Sequence, residues 1–418
     1  MLFRSDVFGD GKTSVRGGYG IFFNAPGAIT LANAIEAPPF ETQLVFTPNT
    51  FTNPYAGTGY SDPFPYPYLN PTSNPLWPFP AQFYSPDPNL KNAFTQQYNF
   101  NVQHEFPKDF MVQVGYVGSK GDRLWDGNQA NAGVYNPATE TTISLAGSLA
   151  QANRPFLPQY YAGITSISNI GYSNYNSLQV TARKRLSAGY TMQLAYTFSK
   201  SLDAGSVADA DGGTEQNPAN PLVGEYGRSD FNQKQLLRVN GVWSLPQFKN
   251  LGLAQYAVGG WEVTGIVGYS SGTPFSVTTG SAAPWLGAGR DIGSLRLNVT
   301  GTNPCTGCGS RDSWTSFGTG TYFNPAAFAT PLSTLGTFGN SGRNLLVGPS
   351  TINADMSAVK NFPLPRENSK VQFRADFFNL FNHAPFNNPT TSLASSTFGK
   401  ITSAGNPRQI QLALRLNF

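Results

Sequence analysis

The stretch "GYSSG", Gly268 to Gly272, has the Gly-x-Ser-x-Gly spacing of a hydrolase nucleophile, with Ser270 in the reactive place. Asp355 or Asp376, and then His383, follow in the order in which α/β-hydrolases carry their acid and base. That chemistry needs a strand, a sharp elbow and a helix that lift the hydroxyl above the sheet. Here "TPFSVTTG" comes next, with Pro274 and a run of β-formers, so no helix starts at the elbow. The motif predicts a strand end running into a loop, and no catalytic residue is assigned.

Cys305 and Cys308, in "NPCTGCGS", are the only cysteines. A C-x-x-C pair does redox chemistry when a helix starts after the first thiol, and holds structural zinc when two further ligands join it. Neither context is visible, and the pair is expected to be a small disulfide staple formed in an oxidising compartment. Metal ligands are equally scarce. With His104 and His383 the only histidines, a His-based zinc centre finds no local partners. "SLDAGSVADADGGTE" gathers Asp203, Asp209, Asp211 and Glu215 among glycines, but without EF-hand spacing, and reads as a solvated acidic loop. "GGYG" near residue 17 sits within a strand pattern and does not make a phosphate loop. The chain is expected to hold no cofactor or metal and to catalyse no reaction.

The elements that carry these residues are strands. Charged residues are 12% of the 418, about half the roughly 25% of soluble domains, while aromatics reach 13% and there are 44 Gly and 32 Pro. Such a chain is poor in helix formers and rich in turn formers. A net charge of +4 from scattered basic residues gives nucleic-acid binding no support. No apolar run reaches the ~18 residues of a membrane-spanning helix, a test that β-barrels escape because their strands are only half apolar. "MLFRSDVFGDGK" lacks the apolar core of a signal peptide.

The last stretch, "RQIQLALRLNF", shows the pattern most clearly. Ile410, Leu412, Leu414, Leu416 and Phe418 alternate with Gln411, Ala413, Arg415 and Asn417. That is a strand with one apolar and one polar face. Strand periodicity recurs at 12–23, 94–106, 110–119, 174–186, 189–200, 234–245, 258–270, 351–362 and 370–381, and residues 1–8 look like part of an earlier strand. Short links ("GDGK", "PKD", "SA", "PQFKNLGLAQYA", "PLPRENS") alternate without a break with long ones at 24–93, 120–173, 201–233, 271–350 and 382–408. Short turns on one rim and long loops on the other are the order of an up-and-down transmembrane barrel, with periplasmic turns and extracellular loops. A Greek-key sandwich has no reason to keep it. The fold expected is therefore all-β, an antiparallel transmembrane β-barrel of about ten to eleven strands.

An Arg facing lipid at the midplane costs ~2–4 kcal/mol, so Arg238, Arg374 and Arg415, all on polar parity, are expected to face the lumen. His104 breaks parity near a rim, where the cost is small. Aromatics gather at strand ends as girdles: Phe106, Phe110, Tyr190, Trp243, Trp261 and Phe362 on the short-turn side, and Phe22, Phe198, Tyr269 and Phe381 towards the long loops. The long loops are rich in Pro, Gly, Asn and Thr. One of them, "NPYAGTGYSDPFPYPYLNPTSNPLWPFP", reads as an aromatic, proline-rich surface coil.

"NYNSLQVTARKRLSAGYTMQLAYTFSKSLDAG", "GYSSGTPFSVTTG", "VQFRADFFNLFNHAPFNNP" and "FGKITSAGNPRQIQLALRLNF" resemble the C-terminal barrel of Oar-like, OmpA-related TonB-dependent receptors, especially those of acidobacteria. The likeness runs from about residue 8 to the end. It implies an outer-membrane receptor whose full form has a carboxypeptidase-like domain, a plug and a twenty-two-stranded barrel, with import powered by the TonB complex. It also implies that Ile410, Leu412, Leu414, Leu416 and Phe418 form the signal read by the barrel assembly machinery. Against that pattern, residues 1–418 are expected to be part of a barrel domain, with signal peptide, carboxypeptidase-like domain and plug absent. The leading expectation is an outer-membrane fragment that binds and takes up an unknown substrate and has outer-membrane lipid as its solvent. The alternatives are a small self-closed pore or adhesin and, from another class, an exported β-sandwich hydrolase or carbohydrate-binding module.

Overall fold

Alternating side chains satisfy a strand only when its backbone groups find partners on both sides. The computed structural model, which describes residues 2–24, 50, 52–57, 80–133, 152, 154–187, 189–206, 215–217, 220–246, 258–280, 295–305, 308, 320–331, 338–365 and 369–418, supplies them in one antiparallel sheet. In chain order the strands are β1 (Leu2–Asp6), β2 (Thr13–Phe23), β3 (Ala81–Pro86), β4 (Phe94–Phe106), β5 (Phe110–Gln129), β6 (Tyr161–Ser187) and β7 (Tyr190–Asp203). Then come β8 (Gly227–Arg228), β9 (Gln235–Ser244), β10 (Trp261–Ser270), β11 (Pro274–Phe275), β12 (Asn298–Val299), β13 (Phe328–Ala329) and β14 (Leu346–Val347). The last three are β15 (Thr351–Pro363), β16 (Lys370–Phe378) and β17 (Gln409–Asn417).

Each long strand pairs with its sequence neighbour, in the order β1-β2-β4-β5-β6-β7-β9-β10-β15-β16-β17. The sheet is open, with β1 and β17 at its edges. Two strands outgrow the sequence reading. β5 runs on to Gln129 and β6 begins at Tyr161, because β3 adds a parallel ladder against β6 that pairs backbone groups beyond the rim. Conversely β10 starts at Trp261 rather than residue 258, and β16 stops at Phe378 before a turn in which Asn379 and Asn382 have φ of 52° and 55°. Asn tolerates that left-handed conformation.

Directly opposed residues share a face, so the register assigns faces across the whole sheet. Ile410, Phe377, Met356, Gly265, Gly241, Met192, Lys184, Phe110 and Phe106 form one continuous row. Asn353, Gly268, Arg238, Ala195, Thr181, Gln113, Gln103 and Ser14 form another, on the opposite face. Large side chains of the apolar face stand exposed: Leu412 is 66% exposed and Leu414 74%. The apolar side chains of the sheet thus point away from any core, as they do when hydrocarbon is the solvent. Phe106, Phe110, Tyr190, Trp243, Trp261 and Phe362 all fall on this face at the short-turn rim. Phe22 does not, for it opposes Thr95 on the polar face while Phe23, opposing Phe94, takes the outward place.

The buried hydrophobic core lies elsewhere. Phe275, Val277, Leu297, Tyr322, Phe323, Ala327, Phe328 and Leu346 pack together in the loop that joins β10 to β15, with Phe398 and Ile401 of the β16–β17 loop against them. Phe323 meets Phe328 and Phe398 edge-on, with ring centres 5.6 and 5.1 Å apart. Short ladders β11·β14 and β12·β13 fix the loop backbone, and Asn324 caps the short 3-10 helix Pro325–Ala327. Cys305 and Cys308 are joined by a disulfide, with Cα atoms 5.6 Å apart, packed on this core. Each large side chain so buried contributes ~1.5–3 kcal/mol. Rich in Pro, Gly, Asn and Thr as they are, the long loops build a cap, because large apolar residues spaced too irregularly to form a face still meet in three dimensions.

Candidate binding site in the loop cap

The residues of the hydrolase-like pattern are dispersed. The Ser270 hydroxyl pairs with Thr351 Oγ1 at 2.7 Å. Asp355 accepts from the Asn379 backbone N–H at 2.8 Å, Asp376 accepts from Arg374 Nε, and the His383 backbone N–H donates to Asn379 Oδ1 at 2.8 Å. Asp355 opposes Ile266 on β10, four places along from the Ser270–Thr351 pair. Arg238, Arg374 and Arg415 lie on the polar face, opposite Gly268, Ala413 and Gln372 respectively. A Cβ at Gly268 would come 2.5 Å from Arg238 Nη1, so the glycine makes room for the guanidinium. Of the aromatic loop at 53–80, residues 58–79 lie outside the described residues, as do Asp209 and Asp211.

Asp203 and Glu215 correct the solvated-loop reading, being only 3% and 5% exposed. They belong to a buried polar cluster between the sheet rim and the cap. Arg343 donates through Nε to the Glu225 carbonyl (2.8 Å), through Nη1 to Ser206 Oγ and Asp230 Oδ1 (3.2 Å each), and through Nη2 to the Asp203 carbonyl and carboxylate. Arg296 holds the Glu225 carboxylate with two parallel bonds of 2.7 and 2.8 Å and gives Nε to the Ser341 carbonyl. This fork geometry is the strong form of an Arg–carboxylate pair. Gln216 closes the cluster, donating to Gly339 O and accepting from the Arg296 backbone N–H. Asn344, at φ 55°, donates to Arg228 O and Asp230 Oδ1 at 2.6 Å each.

Asp126, on the outer part of β5, joins Glu215, in the loop after β7, as a buried carboxyl of this cluster beyond the membrane span. Burial pushes Asp126 up to about 6, aided by the charge of Glu225 and opposed by the Gly127 N–H and Arg343. Burial pushes Glu215 up to about 7, against the Gln129 N–H that donates to it at 3.0 Å. A carboxyl raised on folding stabilises the folded form fully below its ordinary range and loses that contribution as pH climbs through the raised value. The cap is therefore expected to loosen between about pH 4 and pH 7. The protection factors of the Gln129 and Ile164 amides, taken relative to the base-catalysed rate of an open chain at each pH, should fall over that window, and Glu215→Gln should flatten the dependence.

A cavity of about 340 Å³ opens beside the cluster, lined by Ser206, Asp230, Pro274, Phe275, Ser276, Thr278, Arg296, Arg343 and Asn344. It offers the Asp230 carboxylate, several hydroxyls and the Phe275 ring, while both guanidiniums are already bound to protein. That arrangement can grip a small hydrogen-bonding ligand. Sequence reading singled out Asp203 and Glu215 of the cluster as candidate ligands, and none of the residues that line the cavity. The one available signal was charge: Arg296 and Arg343 are cations set in Gly- and Asn-rich loops of a chain with few charges.

The model of the outer membrane β-barrel domain family matches residues 3–411. The chain belongs to that family. It is thus an outer-membrane β-barrel protein of the bacterial envelope, in keeping with the outward apolar face and the short-turn and long-loop rims. No curated protein matches it. Among solved structures it is similar to the outer membrane transporter YddB from Escherichia coli, with 9% identity and a TM-score of 0.48 over 99% of this chain and 39% of that one. The FrpB iron transporter from Neisseria meningitidis gives 11% and 0.40 over 97% and 37%. BauA, the ferric preacinetobactin receptor from Acinetobacter baumannii, gives 11% and 0.41 over 99% and 35%. The chain spans under two fifths of the length of these three structures.

Proposed function

We propose that this barrel is the membrane part of a TonB-dependent receptor of the Oar-like, OmpA-related type, which binds a small ligand at the cell surface and passes it across the outer membrane. The observation that carries the reading is the cap. A passive pore works with an open mouth, whereas here the described loops of the long-loop rim fold on a core of their own, beside a cavity lined by charged, hydroxyl and apolar side chains. The motifs at 174–205, 268–280, 371–389 and 398–418 support the receptor type. In this reading Arg238, Arg374 and Arg415 line the lumen, the outward residues Ile410, Leu412, Leu414, Leu416 and Phe418 are handed to the barrel assembly machinery, and the TonB complex acts on the full-length form.

The test compares uptake with conduction. Cells whose outer membrane carries the full-length receptor should remove a compound from the medium only while the TonB complex is intact, as read by metabolite profiling of the spent medium. The chain itself, in a planar bilayer, should give no steady conductance. Steady conductance whose ion selectivity shifts with Arg374→Gln and Arg415→Gln would establish a passive pore instead.

A further inference from the structure

The lipid-facing wall is not smooth. Gly241 and Gly265 stand directly opposite each other on β9 and β10, flanked in the same row by Met192 and Met356. Two adjacent positions without side chains leave a trough in an otherwise apolar surface. It forms a groove of about 620 Å³ whose walls include Met192, Val239, Val263 and Val267, closed towards the short-turn rim by Tyr190 and Trp243. Tyr190 opposes Trp243, one level below the glycines.

A cation stands beside it. Lys184 lies on the apolar face in the row of the two glycines, one strand beyond Met192, and is only 6% exposed. Its ammonium sits 5.3 Å from the centre of the Tyr190 ring that lines the groove and donates to the Arg185 carbonyl and the Ser187 hydroxyl. Among the described residues none of its partners is a carboxylate. On the far side of the groove Lys360 repeats the arrangement, donating to the Gly259 carbonyl with its ammonium 5.5 Å from the Trp261 ring. Lysines on a lipid-facing wall reach for the interface and for anions found there. Aromatic rings of this kind sit at headgroup depth.

We infer that this groove is a site for one anionic glycerophospholipid of the periplasmic leaflet, with an acyl chain laid over Gly241 and Gly265 between the two methionines and the phosphate held at Lys184. The apolar trough alone accepts any acyl chain. The ammonium without a carboxylate is what selects a negative headgroup over a zwitterionic one.

Trp243 reports the groove directly. The full chain is reconstituted in phosphatidylethanolamine bilayers with a small fraction of phosphatidylglycerol brominated on its acyl chains, and the emission lost on Trp243→Phe is taken as the Trp243 signal. That signal should be quenched at least twofold more strongly than by the same fraction of brominated phosphatidylethanolamine. Lys184→Gln should abolish the preference. Gly265→Leu should also abolish it by filling the trough, at a position where an added Cβ meets nothing nearer than 3.8 Å, whereas one at Gly241 would press on the Thr191 carbonyl at 2.8 Å. Equal quenching by the two lipids in the unsubstituted chain overturns the site, as does a preference that survives both substitutions in folded protein.

Discussion

Arg343→Met releases the loop cap while leaving the sheet in place. The guanidinium reaches side-chain or backbone oxygens of four residues, Asp203, Ser206, Glu225 and Asp230, and ties the end of β7 to a segment 140 residues later in the chain. Asp203 sits at 5% side-chain exposure. Removing the cation leaves that buried carboxylate with the Ser206 hydroxyl and without its counter-charge, a loss of ~3–5 kcal/mol for a buried pair broken on one side. The sheet holds its own ladders, so far-UV β signal and resistance to extraction should persist. Amide exchange at Leu297 and Thr279, whose N–H groups donate to the Val277 and Leu295 carbonyls within the cap, should accelerate by orders of magnitude. Pairing the change with Asp203→Asn should recover part of the loss, since neutralising both partners costs less than orphaning one. Unchanged exchange in the single variant would show that the apolar core alone holds the cap.

Val239→Arg should be the most damaging single change in the sheet. Val239 sits between Leu194 and Val267 in the middle of the apolar face, where an arginine in hydrocarbon costs ~2–4 kcal/mol. Its neighbour Asn240 lies on the polar face opposite Gln193 and Ile266, and Asn240→Arg should cost under ~1 kcal/mol because the charge stays hydrated. Denaturant unfolding of the chain in bilayers separates the two. Equal costs would mean that the two faces meet the same solvent, and the transmembrane reading would fall.

The strands were legible because their signal is local. Alternation in "GYTMQLAYTFSK" or "RQIQLALRLNF" names the strand, its two faces and, through the arginines that avoid the apolar set, the solvent on each side. Turn and loop lengths gave the neighbour order for the same reason. The extensions of β5 and β6 were not legible, since Gly121, Arg123 and Gly127 break the alternation and the register shifts there. Nor was the outward place at the end of β2, which the girdle reading gives to Phe22 and the Phe23–Phe94 pair gives to Phe23.

The cap and its cavity show the limit of that reading. Arg343 meets Asp203 across 140 positions, Gln216 meets Gly339 across 123, and Arg296 meets Glu225 across 71. Such partners carry no period, and their composition matches that of unstructured coil. By itself the sequence determined a membrane-crossing antiparallel sheet with one apolar face, because every second side chain must match its solvent. Only the tertiary structure decided that the long loops bury a core and a charged cluster, because burial there depends on segments brought together from far apart, and no segment alone shows which of its residues will lose contact with water.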